Sequence, residues 1–241
     1  MSEFAATMTH ISQLTTKVND NLTKLFDNSN AAAAKLPGFI AQKIVDLLKK
    51  LQEVVAKMWE EVKQFIEEPG NWGDLSDASK AWTEKVQSPV SAEAGRFTET
   101  YSKVDDYWQG RAAEAYKKVI KPEAPQSAAT EQYADTAKEI SSALNTCKLA
   151  IIGFWLAVGI AYSALIYTLI KCCVAAATGV GTLPALGTAL GAIGVFLGAV
   201  AAAAWAAVQW MGEASNTFRT ENSGNNKWPG GKWPPAGLLT E

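Results

Sequence analysis

Leu149-Ala-Ile-Ile-Gly-Phe-Trp-Leu-Ala-Val-Gly-Ile-Ala-Tyr-Ser-Ala-Leu-Ile-Tyr-Thr-Leu-Ile170 is a run of 22 residues without a charged side chain, bounded by Lys148 and Lys171. A helix of that length measures about 33 Å, enough for the roughly 30 Å hydrocarbon core of a bilayer. The next uncharged stretch, Cys172–Gly212, holds 41 residues. That is too many for one span, and the turn formers Thr178-Gly-Val-Gly-Thr-Leu-Pro184 break it. A second span from about Leu186 to Trp210 follows, so 146–212 is expected to be a transmembrane helical hairpin with both ends on one side. Trp155, Trp205 and Trp210 are expected as interfacial anchors. Gly187, Gly191, Gly194 and Gly198 fall on one face of the second span at small-x-x-x-small spacing. They predict a helix-packing face in the membrane, used against the first span or against another copy. Neither span carries an ionisable residue, which argues against ion or proton transport through a buried relay.

Working outward, charge is confined to the other half. Met1–Lys148 contains 18 of the 22 basic and 21 of the 24 acidic residues of this 241-residue chain. The net charge of −2 supplies no basic field, so nucleic acid is not an expected partner. A soluble half joined to a membrane-like half makes a plain globular enzyme improbable. The start, Met1-Ser-Glu-Phe-Ala-Ala-Thr-Met8, has no basic patch ahead of a short apolar core and does not read as a cleavable signal peptide.

Metal or nucleophilic chemistry needs His, Cys and carboxylates brought together. The one histidine, His10, sits beside Ile11 on an amphipathic pattern and reads as a solvated helical side chain. Cys147 and Cys172 stand about 37 Å apart along one helix, too far for a disulfide. Cys172 and Cys173 are adjacent and not spaced as metal ligands. No phosphate loop or nucleophile motif is present. The expectation is no enzyme, no cofactor, no metal and no small-molecule substrate.

The soluble half reads as helix throughout. Phe4, Met8, Ile11, Val18, Leu22 and Leu25 form one apolar stripe, with Thr15 in the gap, expected to stop near Asn28-Ser29-Asn30. After Pro37-Gly38, Ile40, Ile44, Leu47, Leu51, Val54 and Met58 alternate by four and three, the rhythm of a coiled-coil seam, and the helix stops at Pro69-Gly70. Residues 1–68 are thus expected to form an N-terminal coiled-coil-like helical hairpin, able to self-associate or hold a partner. From Asp74 the helical pattern continues with few strong apolar residues, and Pro89 should kink or restart it.

Asp106-Tyr107-Trp108-Gln109-Gly110-Arg111-Ala112-Ala113-Glu114-Ala115-Tyr116 then joins two helical segments. Gly110 can take a positive φ and reverse the chain, and the Trp108 indole is expected to pack into the corner. This stretch resembles the WXG100, or ESAT-6-like, family of type VII secretion substrates in the actinobacterial style, over roughly residues 74–145. The resemblance implies a helix–turn–helix that forms four-helix bundles, export without a cleaved signal, and a motif placed on Trp108 and Gly110. The family's Tyr-x-x-x-Asp/Glu spacing occurs here at Tyr101 and Asp105, ahead of the turn, whereas Tyr133 is followed by Ala137.

The last segment, 213–241, carries the imperfect repeat Lys227-Trp-Pro-Gly-Gly and Lys232-Trp-Pro-Pro and is expected to be a disordered tail. The whole is expected to be all-α: long helical hairpins, then a two-span membrane hairpin, then the tail. Membrane lipid is the expected partner, with a homo- or hetero-oligomer formed through the helical head, at the cell envelope or secreted. The functional expectation is a type VII secretion-associated protein that associates with or inserts into membranes. A permanently anchored adaptor, assembly or immunity-type protein and an α-helical pore-forming toxin are the alternatives.

Overall fold

The computed structural model describes residues 2–121, 124–223, 227–228 and 232. The protein is all-α, with no strand among the described residues. Its helices are α1 (Glu3–Ala33), α2 (Gly38–Glu67), α3 (Trp72–Trp82), α4 (Ser88–Tyr107), α5 (Arg111–Ile120), α6 (Pro125–Ala177) and α7 (Thr182–Ser223). A π-helical turn, Thr83–Gln87, joins α3 to α4. Two compact units result: Met1–Gly73 with Ala150–Gln209, and Asp74–Leu149 with Trp210–Glu241. The segments expected as successive domains 1–68, 74–145 and 146–212 are therefore shared out differently. The N-terminal hairpin keeps company with the apolar hairpin.

In the first unit, α1 starts at a Ser2 cap whose Oγ accepts from the Ala5 amide at 3.2 Å. It continues past the expected stop at Asn28–Asn30 to Ala33, because the Asn28 amide is engaged elsewhere, donating to the Cys173 carbonyl at 3.0 Å. Its buried stripe is Ile11, Leu14, Val18, Leu22 and Leu25, with Thr15 only partly buried. On α2 the fully buried positions are Ile44, Leu48, Leu51, Met58 and Val62, so Leu48 rather than Leu47 points inward. Both helices bury more than a two-helix seam requires, since α6 lies against them. Ile11 faces Gly159, Thr15 meets Tyr162, and Phe65 packs on Phe154 with ring centroids 5.1 Å apart. From α7, Leu186, Ala189, Ile193, Phe196 and Val200 are buried, and Phe196 stands 4.9 Å from the Tyr162 ring. Each Leu, Ile or Phe so buried contributes about 1.5–3 kcal/mol, which makes this the strongly held part of the chain.

One buried hydroxyl works against that core. Ser29 is fully buried and its Oγ has no hydrogen-bond partner, a loss of about 1–3 kcal/mol. Ser29→Ala should raise the midpoint of chemical unfolding, by about 1 kcal/mol once the methyl keeps most of the packing. An unchanged or lowered midpoint would mean that the hydroxyl is satisfied.

The second unit is held differently. Its buried residues are mostly small: Ala94, Ala113, Ala124, Ala128, Ala129, Ala134, Ala137 and Ala143, with Val104 and Ile120 as the larger exceptions. Hydroxyls take the place of apolar bulk where α3 meets α6. Ser79 Oγ and Thr83 Oγ1 each lie 2.9 Å from Ser141 Oγ, and Lys148 Nζ reaches Ser76 Oγ at 3.3 Å. Pro89 does restart the helix. It has no N–H to give the preceding turn, and the ladder widens ahead of it, the Ser88 amide bonding back to the Thr83 carbonyl.

The tail differs from expectation in its first part. α7 continues to Ser223 with Ala214 buried, and Thr136 Oγ1 donates to Glu221 Oε2 at 3.1 Å. The Lys227 amide donates to Gln132 Oε1 at 3.2 Å, and the Trp228 ring lies 6.1 Å from Tyr133. The rest of the expected tail, Lys232 apart, lies outside the described residues.

Candidate membrane interface

Among the described residues two helices are long and apolar enough to cross a membrane, the first ending at Ala177 and the second beginning at Thr182. The core helix of a water-soluble bundle passes the same test, but it is buried on most sides. In the most apolar 18-residue stretches of these helices only 33% and 22% of residues are buried. The inner face is the one described above. The outer face leaves Leu156 (66% exposed), Ile160 (64%), Tyr167, Val174, Val195 (74%), Trp205 and Val208 uncovered. A contiguous apolar surface of this kind marks a site for lipid or protein.

The turn between the helices is built without charge. Thr178-Gly-Val-Gly brings the chain round at Gly179, φ +77°, and a Cβ on Gly181 would stand 2.5 Å from the Ala175 carbonyl oxygen. Thr182, fully buried, donates to the carbonyls of Ala176 and Gly179 and locks the corner. Val180 projects from its tip.

The glycines of α7 fall on the outer face. A Cβ added at Gly187, Gly191, Gly194 or Gly198 would meet nothing within 4 Å. Packing against the first span uses the opposite face, so the glycines are not the intrachain contact that sequence spacing allowed. Gly191→Leu should accordingly leave the unfolding midpoint of the full chain within about 0.5 kcal/mol of the parent. A large loss would place a neighbour on that face.

The three tryptophans part company. Trp205 and Trp210 are exposed as an interfacial anchor requires. Trp155 is not: it is 2% exposed, and its indole donates to the Pro69 carbonyl at 2.8 Å. It faces inward because its helical position falls on the α6 face that meets the end of α2, beside Phe154. With Phe154 and Phe65 it belongs to an aromatic cluster, and Phe4 makes a separate edge-on pair with Trp72 at 4.9 Å.

Trp108 and Gly110 lie in the turn between α4 and α5. Gly110 has φ +95° and begins α5, and Trp108 ends α4. The corner itself is filled by Val104, Ala113 and Ile120, with Phe97 and Val119 against them. Trp108 stays 45% exposed, its ring 5.7 Å from Tyr116, so the indole covers the turn and does not fill the corner. Lys117 ties the helices together, 2.8 Å from both Asp105 Oδ1 and Glu114 Oε1. The hydrogen bonds its ammonium donates to Asp105, and then to Glu114, push its pKa above the ordinary lysine value. The tie is therefore in place through neutral pH, and on the alkaline side it is lost as pH rises past that raised value. Tyr101 and Asp105 both lie on α4, and Asp105 is taken up by this ion pair.

These positions rank two substitutions. Gly110→Ala puts a Cβ into a left-handed backbone and should cost about 1–3 kcal/mol, although the space around it is open. Trp108→Ala removes a half-exposed ring and should cost about 1 kcal/mol. Thermal melts of the two full-length variants give the order, and a larger loss for Trp108→Ala would restore the indole to the corner.

Among the described residues no group of His, Cys, Asp and Glu is placed to hold a metal ion. His10 lines an open groove of 620 Å³ between α1 and α6 with Ile11, Trp155, Leu156 and Gly159, and no other titratable side chain joins it there. Cys147, Cys172 and Cys173 are free thiols, and burial raises the Cys147 pKa. Sequence reasoning missed three polar contacts between α1 and α6: Thr15 Oγ1 to Tyr162 Oη (3.3 Å), Asn28 Nδ2 to the Cys173 carbonyl (3.0 Å), and Cys173 Sγ to the Asn21 carbonyl (3.2 Å). Their sequence separations of 145–152 residues leave no local signal. No family model, curated protein or solved structure matches this chain.

Proposed function

We propose that this chain is a WXG100-like, type VII secretion-associated protein that associates with and inserts into membranes through the α6–α7 hairpin. The observation that carries the membrane part is the outer face of that hairpin: two helices of spanning length, with only 33% and 22% of the residues in their most apolar stretches buried and large apolar side chains such as Leu156, Ile160 and Val195 left exposed. The secretion part is supported by the Trp108-Gln109-Gly110 turn between α4 and α5. A stored hairpin of the pore-forming kind is the second reading. It is favoured over a permanently anchored adaptor because α1 and α2 already pack along α6.

Fractionation of an expressing culture tests both parts. The expected result is a chain found in the supernatant as a soluble species that floats with lipid vesicles when they are added. Retention in the cell membrane alone would sink secretion and leave the anchor. A soluble chain that ignores vesicles would sink the membrane reading.

A further inference from the structure

From the same contacts we infer that α1–α2 is an intramolecular cover: the fold described here and a bilayer-spanning α6–α7 cannot exist together, and crossing requires α1–α2 to leave α6. The inference rests on the membrane reading above and adds its regulation. α1 runs beside α6 in the same direction, from Ile11 at Gly159, through Thr15 at Tyr162, to Asn28 at Cys173. α2 returns so that Phe65 meets Phe154. The cover thus lies level with the whole of 149–170, the stretch that would occupy the hydrocarbon.

The cover is charged along that length. Lys17, Asp20, Lys24 and Asp27 of α1, and eight charged residues between Asp46 and Lys63 of α2, are all exposed. Each charge held at bilayer depth lowers the chance of insertion by roughly a hundredfold. Two surface pairs, Lys57–Glu61 and Lys63–Glu67, relieve little of this. Spanning with the cover in place is therefore excluded by electrostatics, whereas spanning without it carries one charge, Lys171, between residues 149 and 212.

The covered form still has a lipid-compatible surface. In this unit the exposed charges lie on α1, α2 and the connections that follow them, Lys171 apart, and the large exposed apolar residues lie on α6, α7 and the turn between them, Phe39 and Ile66 of α2 apart. A bundle so divided can lie on a bilayer with its apolar face down and its charged face in water. Two states follow, a surface-bound covered one and a spanning open one. The join between them is suited to opening, because polar contacts at Tyr162 and Cys173 interrupt the apolar seam and can be exchanged for water.

A reversible staple separates these states. Asn21→Cys, or independently Asn28→Cys, is placed opposite native Cys173 in the full chain with Cys147→Ala and Cys172→Ala, and oxidised; mass spectrometry confirms the bond. A short thiol cross-linker replaces oxidation where the bond does not close. Vesicles of phosphatidylcholine with a minor share of phosphatidylglycerol are the probe. Flotation reads binding, and resistance to alkaline carbonate extraction, together with protease protection of 149–209, reads spanning. The expected result is that stapled chains float but are extracted and digested, and that reduction converts them to the resistant, protected form. Stapled and reduced chains that are equally protected would overturn the cover and leave the membrane reading standing. Failure of both to float would overturn the membrane reading itself, and binding without protection in either state would overturn spanning.

Discussion

Phe196→Ala should cost about 3–5 kcal/mol of folding stability, the usual penalty for emptying a buried aromatic site. Phe196 is 2% exposed on the inner face of α7, flanked by Ile193 and Val200, with its ring 4.9 Å from that of fully buried Tyr162. Tyr162 in turn accepts a hydrogen bond from Thr15 of α1, so one cluster ties three helices. The control is Tyr162→Phe. It keeps the ring and removes only the hydroxyl, and Thr15 retains its second partner, the Ile11 carbonyl at 3.0 Å. The cost there should be about 1 kcal/mol or less. Urea unfolding of the full chain, followed by helical circular dichroism, compares the two. Equal small losses would mean that α7 is not packed on α6 in solution.

How far sequence alone reaches is clear from the same helices. The all-α class was legible because every long segment has a 3.6-residue rhythm or an uncharged length, and Pro37-Gly38, Pro69-Gly70 and Gly110 punctuate them where the helices do end. The inward face of each helix was legible only approximately. Leu14 was passed over because a heptad drifts against a straight helix over eight turns. The end of α1 was misplaced for a tertiary reason: Asn28 and Ser29 are turn formers in isolation, but here one bonds across to Cys173 and the other is buried. The continuation of α7 to Ser223 depends likewise on Thr136 and on the burial of Ala214.

The candidate site was half visible. An uncharged run predicts spanning length, but it does not say which sides are already occupied. Trp155 and Trp205 have the same residue type in the same kind of sequence, and only the arrival of Pro69 and α2 separates a packing tryptophan from an exposed one. The glycine spacing on α7 was equally silent about direction. Periodicity put Gly187, Gly191, Gly194 and Gly198 on one face, and the burial of Leu186, Ile193 and Phe196 shows that the face is outward.

The other large effect is expected from charge on that outward face. Leu156→Glu with Val195→Lys places one charge on each helix of the hairpin, at side chains 66% and 74% exposed. Neither residue supports the inner core, so the folded chain should keep its unfolding midpoint within about 0.5 kcal/mol. Lipid responds very differently. A carboxylate or ammonium at the centre of a span opposes insertion by about 2.5–3.5 kcal/mol, so the pair should lower carbonate-resistant membrane association by roughly a thousandfold or more. Opposite signs were chosen so that the net charge of the chain is unchanged and surface attraction to anionic headgroups cannot account for the loss. Gly191→Leu serves as the companion variant, because it enlarges the same face with apolar atoms and should leave lipid association intact. Flotation and carbonate extraction of the three full-length proteins decide the matter. If the charged double variant were to hold the bilayer as firmly as the parent, the outer face of α6–α7 would not be the surface that meets lipid. The exposed leucine and valine would then have to be explained by a protein partner.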